Sequence, residues 1–201
     1  MTGTDIPIFP LNTVLFPDGY LPLRIFEQRY IEMVRECSLN ASCFGVCLIN
    51  NSEDSNKPAT HMKVGTTAEI VDFSTLEDGL LGITARGKQR FILNNTRMRD
   101  NGLLMGDVEI LDEPAVVEIP VEFSVLSMVT GRFMEQLAAN YPAFKPRDLQ
   151  DADANWVGYR LAELLPLDLD EKQVLLQMSD PLERLQVLVD VLPRFQEPAV
   201  S

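Results

Sequence analysis

The strongest constraint on this chain is a change of hydrophobic period near residue 117. Ahead of it, short apolar runs alternate with polar residues and are broken by Gly, Pro, Asn and Asp, the pattern of half-buried strands joined by turns. Behind it, glycine is scarce and apolar residues return at the spacing of one helix face. One type of layer cannot satisfy both patterns. The 201 residues therefore predict an α+β chain in two parts, strands over 1–117 and a helical bundle over 118–201.

The first part opens with "IPIFPLNTVLFPDGYLPLRIF". Its prolines at 7, 10, 17 and 22 point to edge strands, strand starts or irregular crossings, because proline cannot donate to a ladder. Pro17-Asp18-Gly19 is a turn signal, with proline presetting φ and Gly19 taking a positive one. Phe26, Tyr30, Met33, Val34 and Cys37 recur at helical spacing, so one helix interrupts the strands. Strands resume at 44–50 and 64–73, with "NSEDSNKPAT" as a hairpin tip between them, and "EDG" and "RDNG" mark further turns. Strands at roughly 8–12-residue spacing predict a barrel or sandwich.

In the second part helices are expected over 123–139, over "NWVGYRLAELL" as far as Pro166, over "DLDEKQVLLQM" and over "SDPLERLQVLVDVL", with "NYPAFKPRDLQD" as a connector. Two helix starts are explicit. Asp168 with Glu171 three residues on is the capping-box arrangement. Asp180, Pro181 and Glu183 supply the cap, the first helical position and the third. Phe123, Phe133 and Tyr141 form an apolar stripe on the first of these helices.

One motif needs elimination. In "GITARGKQRF", Gly82, Gly87 and Lys88 have the spacing of a phosphate-binding loop. Gln89 stands where that loop needs Ser or Thr for magnesium, and "RFILNNT" after it reads as a strand rather than as the helix whose N-terminal amides would face the phosphates. Leu81, Ile83 and Ala85 alternate with Gly82, Thr84 and Arg86, so the segment is expected to be a β-hairpin with a glycine turn.

Other chemistry is also absent from the pattern. His61 is the one histidine and falls in a polar loop. Cys37, Cys43 and Cys47 could join it as four metal ligands, but the spacing matches no zinc motif, so buried structural thiols are expected and neither a metal nor a cofactor. Net charge is −13, with −7 before Pro120 and −6 after it, which repels phosphate backbones and argues against nucleic acid as a partner. The local exception is Arg86, Lys88 and Arg90. The opening residues carry no signal-peptide pattern, and no apolar run approaches the ~20 residues of a membrane helix. A cytoplasmic protein with reduced thiols and no membrane association is the expectation.

Taken in order, four segments resemble a known family, the N-terminal substrate-recognition domain of the Lon ATP-dependent proteases, and especially its stand-alone bacterial relatives. "IPIFPLNTVLFPDGYLPLRIFEQRYIEMV" looks like the family's opening, a Pro-Leu strand, a Phe-Pro turn and a second Pro-Leu strand leading into a helix. "VGTTAEI" looks like its Val-Gly-Thr strand, "GLLGITARGKQRFIL" like its Gly-x-x-Arg hairpin, and "LAELLPLDLDEKQVLLQMSDPLERLQVLVDVL" like its helical part. The resemblance implies a PUA-like β-barrel with one inserted helix, followed by a helical bundle. It also implies a region that helps capture unfolded or tagged proteins, with ATPase and protease domains lying downstream. As the chain ends at Ser201, neither is expected here, and the chain is expected not to be an enzyme.

The expected function is thus a non-catalytic polypeptide-binding module, an adaptor or holdase. The alternative is a PUA-like barrel that binds a small molecule or nucleic acid. Tyr20, Arg24, Glu27, Arg29 and Phe123 are the candidate peptide-binding residues. Tyr20 follows a turn and Arg24 alternates with core-facing neighbours, and aromatic residues with Arg favour protein-binding hot spots. Glu27 and Arg29 reach a partner or pair with each other. Phe16, Leu21, Leu23, Ile25 and Phe26 are assigned to the barrel core, and a groove between barrel and bundle is the expected location of binding.

Overall fold

The computed structural model describes residues 4–50, 60–113, 116–140 and 152–195, and the structural statements concern these. The chain divides into two compact units, Met1–Glu113 and Pro114–Ser201. The hairpin tip expected at 51–60 and the connector expected at 140–151 fall almost wholly outside the described residues.

The first unit contains β1 (Thr4–Leu11), β2 (Tyr20–Ile25), α1 (Gln28–Asn40), β3 (Phe44–Asn50), β4 (Thr60–His61), β5 (Val64–Thr75), β6 (Leu81–Met98) and β7 (Leu104–Ile110). β1 runs antiparallel to β7, β7 to β6, β6 to β5 and β5 to β3, and β3 pairs in parallel with β1. These pairings return to their starting strand, so the sheet closes on itself as a small barrel. β2 lies off the ring against β6, and β4 lies against the end of β3. β1 pairs with β7 over Thr4–Ile8 and with β3 over Ile8–Leu11. Each half has one ladder, which is how Pro7 and Pro10 are tolerated without an N–H.

Strand alternation divides the core. Ile6 and Ile8 of β1 meet Cys47, Phe91, Leu93 and Val108 on one side. Phe9 points the other way, to Tyr30, Met33, Val34 and Cys37 of α1 and to Phe44, Leu103 and Met105. Phe91 is fully buried, and burial of a side chain that size contributes about 1.5–3 kcal/mol. The helix that supplies the second cluster ends at Cys37–Ala41, where Ala41 adopts a left-handed conformation and returns its N–H to the Cys37 carbonyl.

Two turn expectations change. Gly87 does not turn the chain. β6 is one strand of 18 residues that runs through it, so the segment expected as a hairpin is continuous. The glycine is there for close approach: a Cβ at Gly87 would lie 2.2 Å from the Phe16 carbonyl oxygen. The Pro17-Asp18-Gly19 turn docks on it, Asp18 donating its N–H to the Gly87 carbonyl at 2.9 Å and Gly87 donating to the Gly19 carbonyl at 2.8 Å. In that turn Asp18 carries the positive φ, +60°, and not Gly19. Aspartate tolerates this conformation, and its side chain is held by Arg86. The "EDG" and "RDNG" turns are as expected, with Gly79 at φ +81° and Gly102 at φ +80°.

The second unit contains a 3-10 turn at Val121–Phe123, then α2 (Ser124–Asn140), α3 (Ala154–Leu164), α4 (Leu169–Gln177), α5 (Pro181–Val191) and a closing 3-10 turn at Leu192–Phe195. Its caps follow the sequence. Glu171 accepts from the Asp168 N–H at 3.0 Å, and Asp180 accepts from the Leu182 N–H at 2.8 Å with Pro181 in the first turn. α3 packs against α2, α4 and α5. No described helix is long and apolar enough to cross a membrane.

Candidate functional site

A cleft of about 550 Å³ opens in the first unit. Its floor is apolar: Phe9 and Leu11 of β1, Leu23 of β2, Tyr30 of α1, Ile49 of β3 and Leu104 of β7. Phe9 and Tyr30 stack with ring centroids 3.9 Å apart and planes 20° off parallel. Burial pushes the Tyr30 phenol upward in pKa, against the opposing pull of Arg29. Phe26 and Met98 line the same cleft while 65% and 68% exposed. Large apolar side chains left exposed together beside an apolar floor mark a contact surface.

The wall made by α1 is fixed to the β6–β7 turn by one face of the helix. Arg29 Nη1 donates to the Gly102 carbonyl at 3.1 Å, Asn101 Nδ2 donates to Glu32 at 2.7 Å, and Arg99 pairs with Glu36 at 2.7 Å. Positions 29, 32 and 36 share that face by helical spacing. Arg29 also pairs with Glu27 at 2.7 Å and lies over the Tyr30 ring at 4.7 Å, while its Nε has no partner. Half-exposed ion pairs contribute about 0–1 kcal/mol each, so what these contacts supply is geometry.

The sequence candidates separate on this frame. Arg24, Glu27 and Arg29 line the cleft together. Arg24 pairs with Asp78, and Glu27 pairs with Arg29 across the start of α1. Tyr20 is exposed at the head of β2 but is not among the cleft residues. Phe123 is buried at 8% exposure in the second unit, so it is a core residue there and offers no surface. Of the residues assigned to the barrel core, Phe16 and Ile25 are buried and Leu21 and Leu23 partly so, but Phe26 points to the cleft. It sits between the last residue of β2 and Glu27, the N-cap of α1, where neither period applies to turn it inward. Met98 and His61 were also missed. His61 lies in β4 rather than in a loop, lines the cleft, and its Nδ1 is buried without a hydrogen-bond partner.

Besides Arg24 and Arg29, the described lining of the cleft carries the titratable side chains of Glu27, Tyr30 and His61. Its lining holds no Ser, Thr, Cys or Lys that could act as a nucleophile. Burial raises the pKa of Cys37 and pushes that of Cys47 up to about 12, and both thiols are buried. Among the described residues no cluster of His, Cys, Asp and Glu is arranged to hold a metal ion. The basic group at 86–90 is internally paired: Arg86 with Asp18, Lys88 with Glu69 at 3.2 Å, and Arg90 with Glu113 at 2.9 Å. Arg90 is 1% exposed and presents nothing to a polyanion.

Comparison with known proteins gives these features a context. Residues 5–194 match the family model of the ATP-dependent protease La (LON) substrate-binding domain. The chain is 27% identical over 197 residues to a Lon protease of Cytophaga hutchinsonii, covering 94% of this chain and 24% of that protein. It is 30% identical over 200 residues to one of Parabacteroides distasonis, covering 96% and 24%. It thus spans about a quarter of the length of these curated relatives. Among solved structures, a Lon N-terminal domain protein from Xanthomonas campestris superposes with a TM-score of 0.76 at 37% identity, covering 93% of this chain and 98% of that one. The N-terminal domain of a Mycobacterium avium complex Lon protease shares the fold, with a TM-score of 0.63 at 17% identity over 93% and 97% of the two chains. With nearly its whole length inside the family match and its fold reproduced in a solved relative, the chain belongs to the Lon substrate-binding domain family.

Proposed function

We propose that this chain binds polypeptides, gripping apolar segments of unfolded or tagged proteins in the cleft of the first unit and acting as an adaptor or holdase. The observation that carries this reading is the pair Phe26 and Met98, held exposed at the cleft that Phe9, Tyr30 and Leu104 floor. Burying two such side chains against a client contributes up to about 1.5–3 kcal/mol each, which the cost of association offsets, so backbone and further side-chain contacts of the client must supply the rest of a reversible affinity. Binding here needs no cofactor and no bond making, in keeping with the lining residues. Three free thiols suit a reducing compartment such as the cytoplasm. The alternative partner, nucleic acid, rests on Arg86, Lys88 and Arg90, whose charges are already engaged.

The test is aggregation of a heat-unfolded client protein, followed by light scattering, with photo-crosslinking of the captured client. Slower aggregation, with crosslinks at residues 23–30 and 98–104, is expected. Equal aggregation with and without the chain contradicts the holdase role, and crosslinks confined to residues 116–195 contradict the cleft.

A further inference from the structure

How a client is held can be read from β2, provided the cleft is a polypeptide site as proposed above. We propose that the client segment adds as a strand to the free edge of β2, and that it is an apolar stretch flanked by basic residues.

Among the described residues β2 has one paired neighbour, β6. The direction of its backbone groups follows from the turn that precedes it. Gly87 of β6 spends its N–H and its carbonyl on Gly19 and Asp18, at 2.8 and 2.9 Å. From that bonded pair an antiparallel ladder alternates. Leu21, Leu23 and Ile25 then bond to β6, while Tyr20, Pro22 and Arg24 turn their backbone groups outward. Pro22 falls on an outward position, the one place where a missing N–H takes nothing from the ladder. The free edge offers the N–H groups of Tyr20 and Arg24 and the carbonyls of Tyr20, Pro22 and Arg24.

This edge borders the cleft, since Leu23 and Arg24 line it. An extended segment paired there sets alternate side chains over Phe9, Tyr30 and Leu104 and leaves the others to solvent. Folded proteins keep their strand edges short, charged or covered, whereas an unfolded chain has backbone groups free along its length, so the edge favours unfolded chains by their backbone and not by one sequence. The six residues of β2 and its proline keep the edge short, which limits pairing of this chain with itself.

Charge complementarity sets the flanks. Inside the cleft the ionic groups cancel, Arg24 against Asp78 and Glu27 against Arg29, so a charged client residue at the floor meets no free counter-ion. The first unit that holds it, Met1–Glu113, has 10 Lys and Arg against 16 Asp and Glu, a net −6, which attracts Lys and Arg beside the bound stretch and repels Asp and Glu.

The experiment uses the full chain and fluorescent peptides of about ten residues, two strand lengths of apolar core and flank together. The parent has an apolar centre and Lys flanks. Two variants carry N-methyl groups on alternate backbone nitrogens, one variant for each register, and a third replaces Lys by Glu. Anisotropy is expected to show binding weakened about tenfold or more by N-methylation in one register and by less than about twofold in the other, with Glu flanks weakening binding about tenfold at low salt and less at high salt. Binding that neither register of N-methylation changes overturns strand addition while leaving the polypeptide reading intact. Equal binding of the Glu-flanked peptide overturns the charge preference. No binding by any of the peptides overturns both this inference and the proposed function.

Discussion

Arg184 in the helical unit and Arg29 in the strand unit each lay a guanidinium over a tyrosine ring, at 4.0 Å from Tyr159 and 4.7 Å from Tyr30. Their other contacts diverge. Arg184 is fully buried and donates to the carbonyls of Leu175 and Met178, to Asn155 Oδ1 at 3.3 Å and to the Tyr159 hydroxyl at 3.2 Å. Arg29 is part-exposed, spends one nitrogen on Gly102 and one on Glu27, and leaves Nε without a partner. A saturated, buried cation ties three helices into one core. A half-satisfied one at the edge of an apolar cleft holds a wall in place beside a surface left open. One residue type therefore separates architecture from site by what its donors meet.

The largest effect that tests this contrast is at Arg184. Arg184→Met should cost about 3–5 kcal/mol in denaturant unfolding, because the Leu175 and Met178 carbonyls lose buried donors. Arg184→Lys should recover little, since one ammonium cannot reproduce the fork. A loss under 1 kcal/mol by either measurement contradicts the structural role.

Next in size is Gly87→Ala, expected to cost about 1–3 kcal/mol through its clash with the Phe16 carbonyl. It should also loosen the Asp18 turn, visible as faster amide exchange at Asp18 and Gly87. Unchanged stability and exchange would contradict the close approach of the Phe16 carbonyl to Gly87.

A third test concerns pH. Burial raises the folded pKa of Cys47 from 9.0 to about 12, so the folded state keeps a proton that the unfolded state releases. Stability from this source is complete below pH 9 and is lost as pH rises from there to about 12, at up to about 1.4 kcal/mol per pH unit. Cys47→Ala should flatten that alkaline limb, and native-state thiol labelling should reach part-exposed Cys43 well before Cys37 or Cys47. Alkaline limbs of the same slope in both proteins would contradict it.

Smaller still is Arg29→Ala, expected to change stability by about 0.5–1 kcal/mol while weakening client binding through a displaced 99–102 turn. Arg29→Lys should restore part of the stability but not the binding, because an ammonium cannot hold Gly102 and Glu27 together in the same plane.

Much of the architecture was legible where the physics is local. Asp180-Pro181 and Asp168 with Glu171 start helices wherever they occur, and Gly79 and Gly102 turn the chain through their own φ. Gly87 was misread because the reason for it lies at Phe16, 71 positions earlier in the sequence numbering. The parallel pairing of β1 with β3 that closes the barrel is non-local in the same way. Of the candidate residues, Arg24, Glu27 and Arg29 do line the cleft, as charged residues clustered around one strand-to-helix junction. Phe26 and Met98 were not legible as cleft residues, since an apolar residue is expected inside unless the backbone has no inward face to give it. Phe123 differs in the opposite sense: its aromatic ring suggested recognition, and the structure buries it among the apolar residues of the second unit.

The most direct test of the account is the double variant Phe26→Ser/Met98→Ser, measured against an unfolded client by anisotropy alongside its own unfolding curve. Both residues are exposed, so stability should stay within about 0.5 kcal/mol of the parent while client affinity falls about tenfold or more. Unchanged affinity with an intact fold would contradict the claim that this cleft is where polypeptides are held.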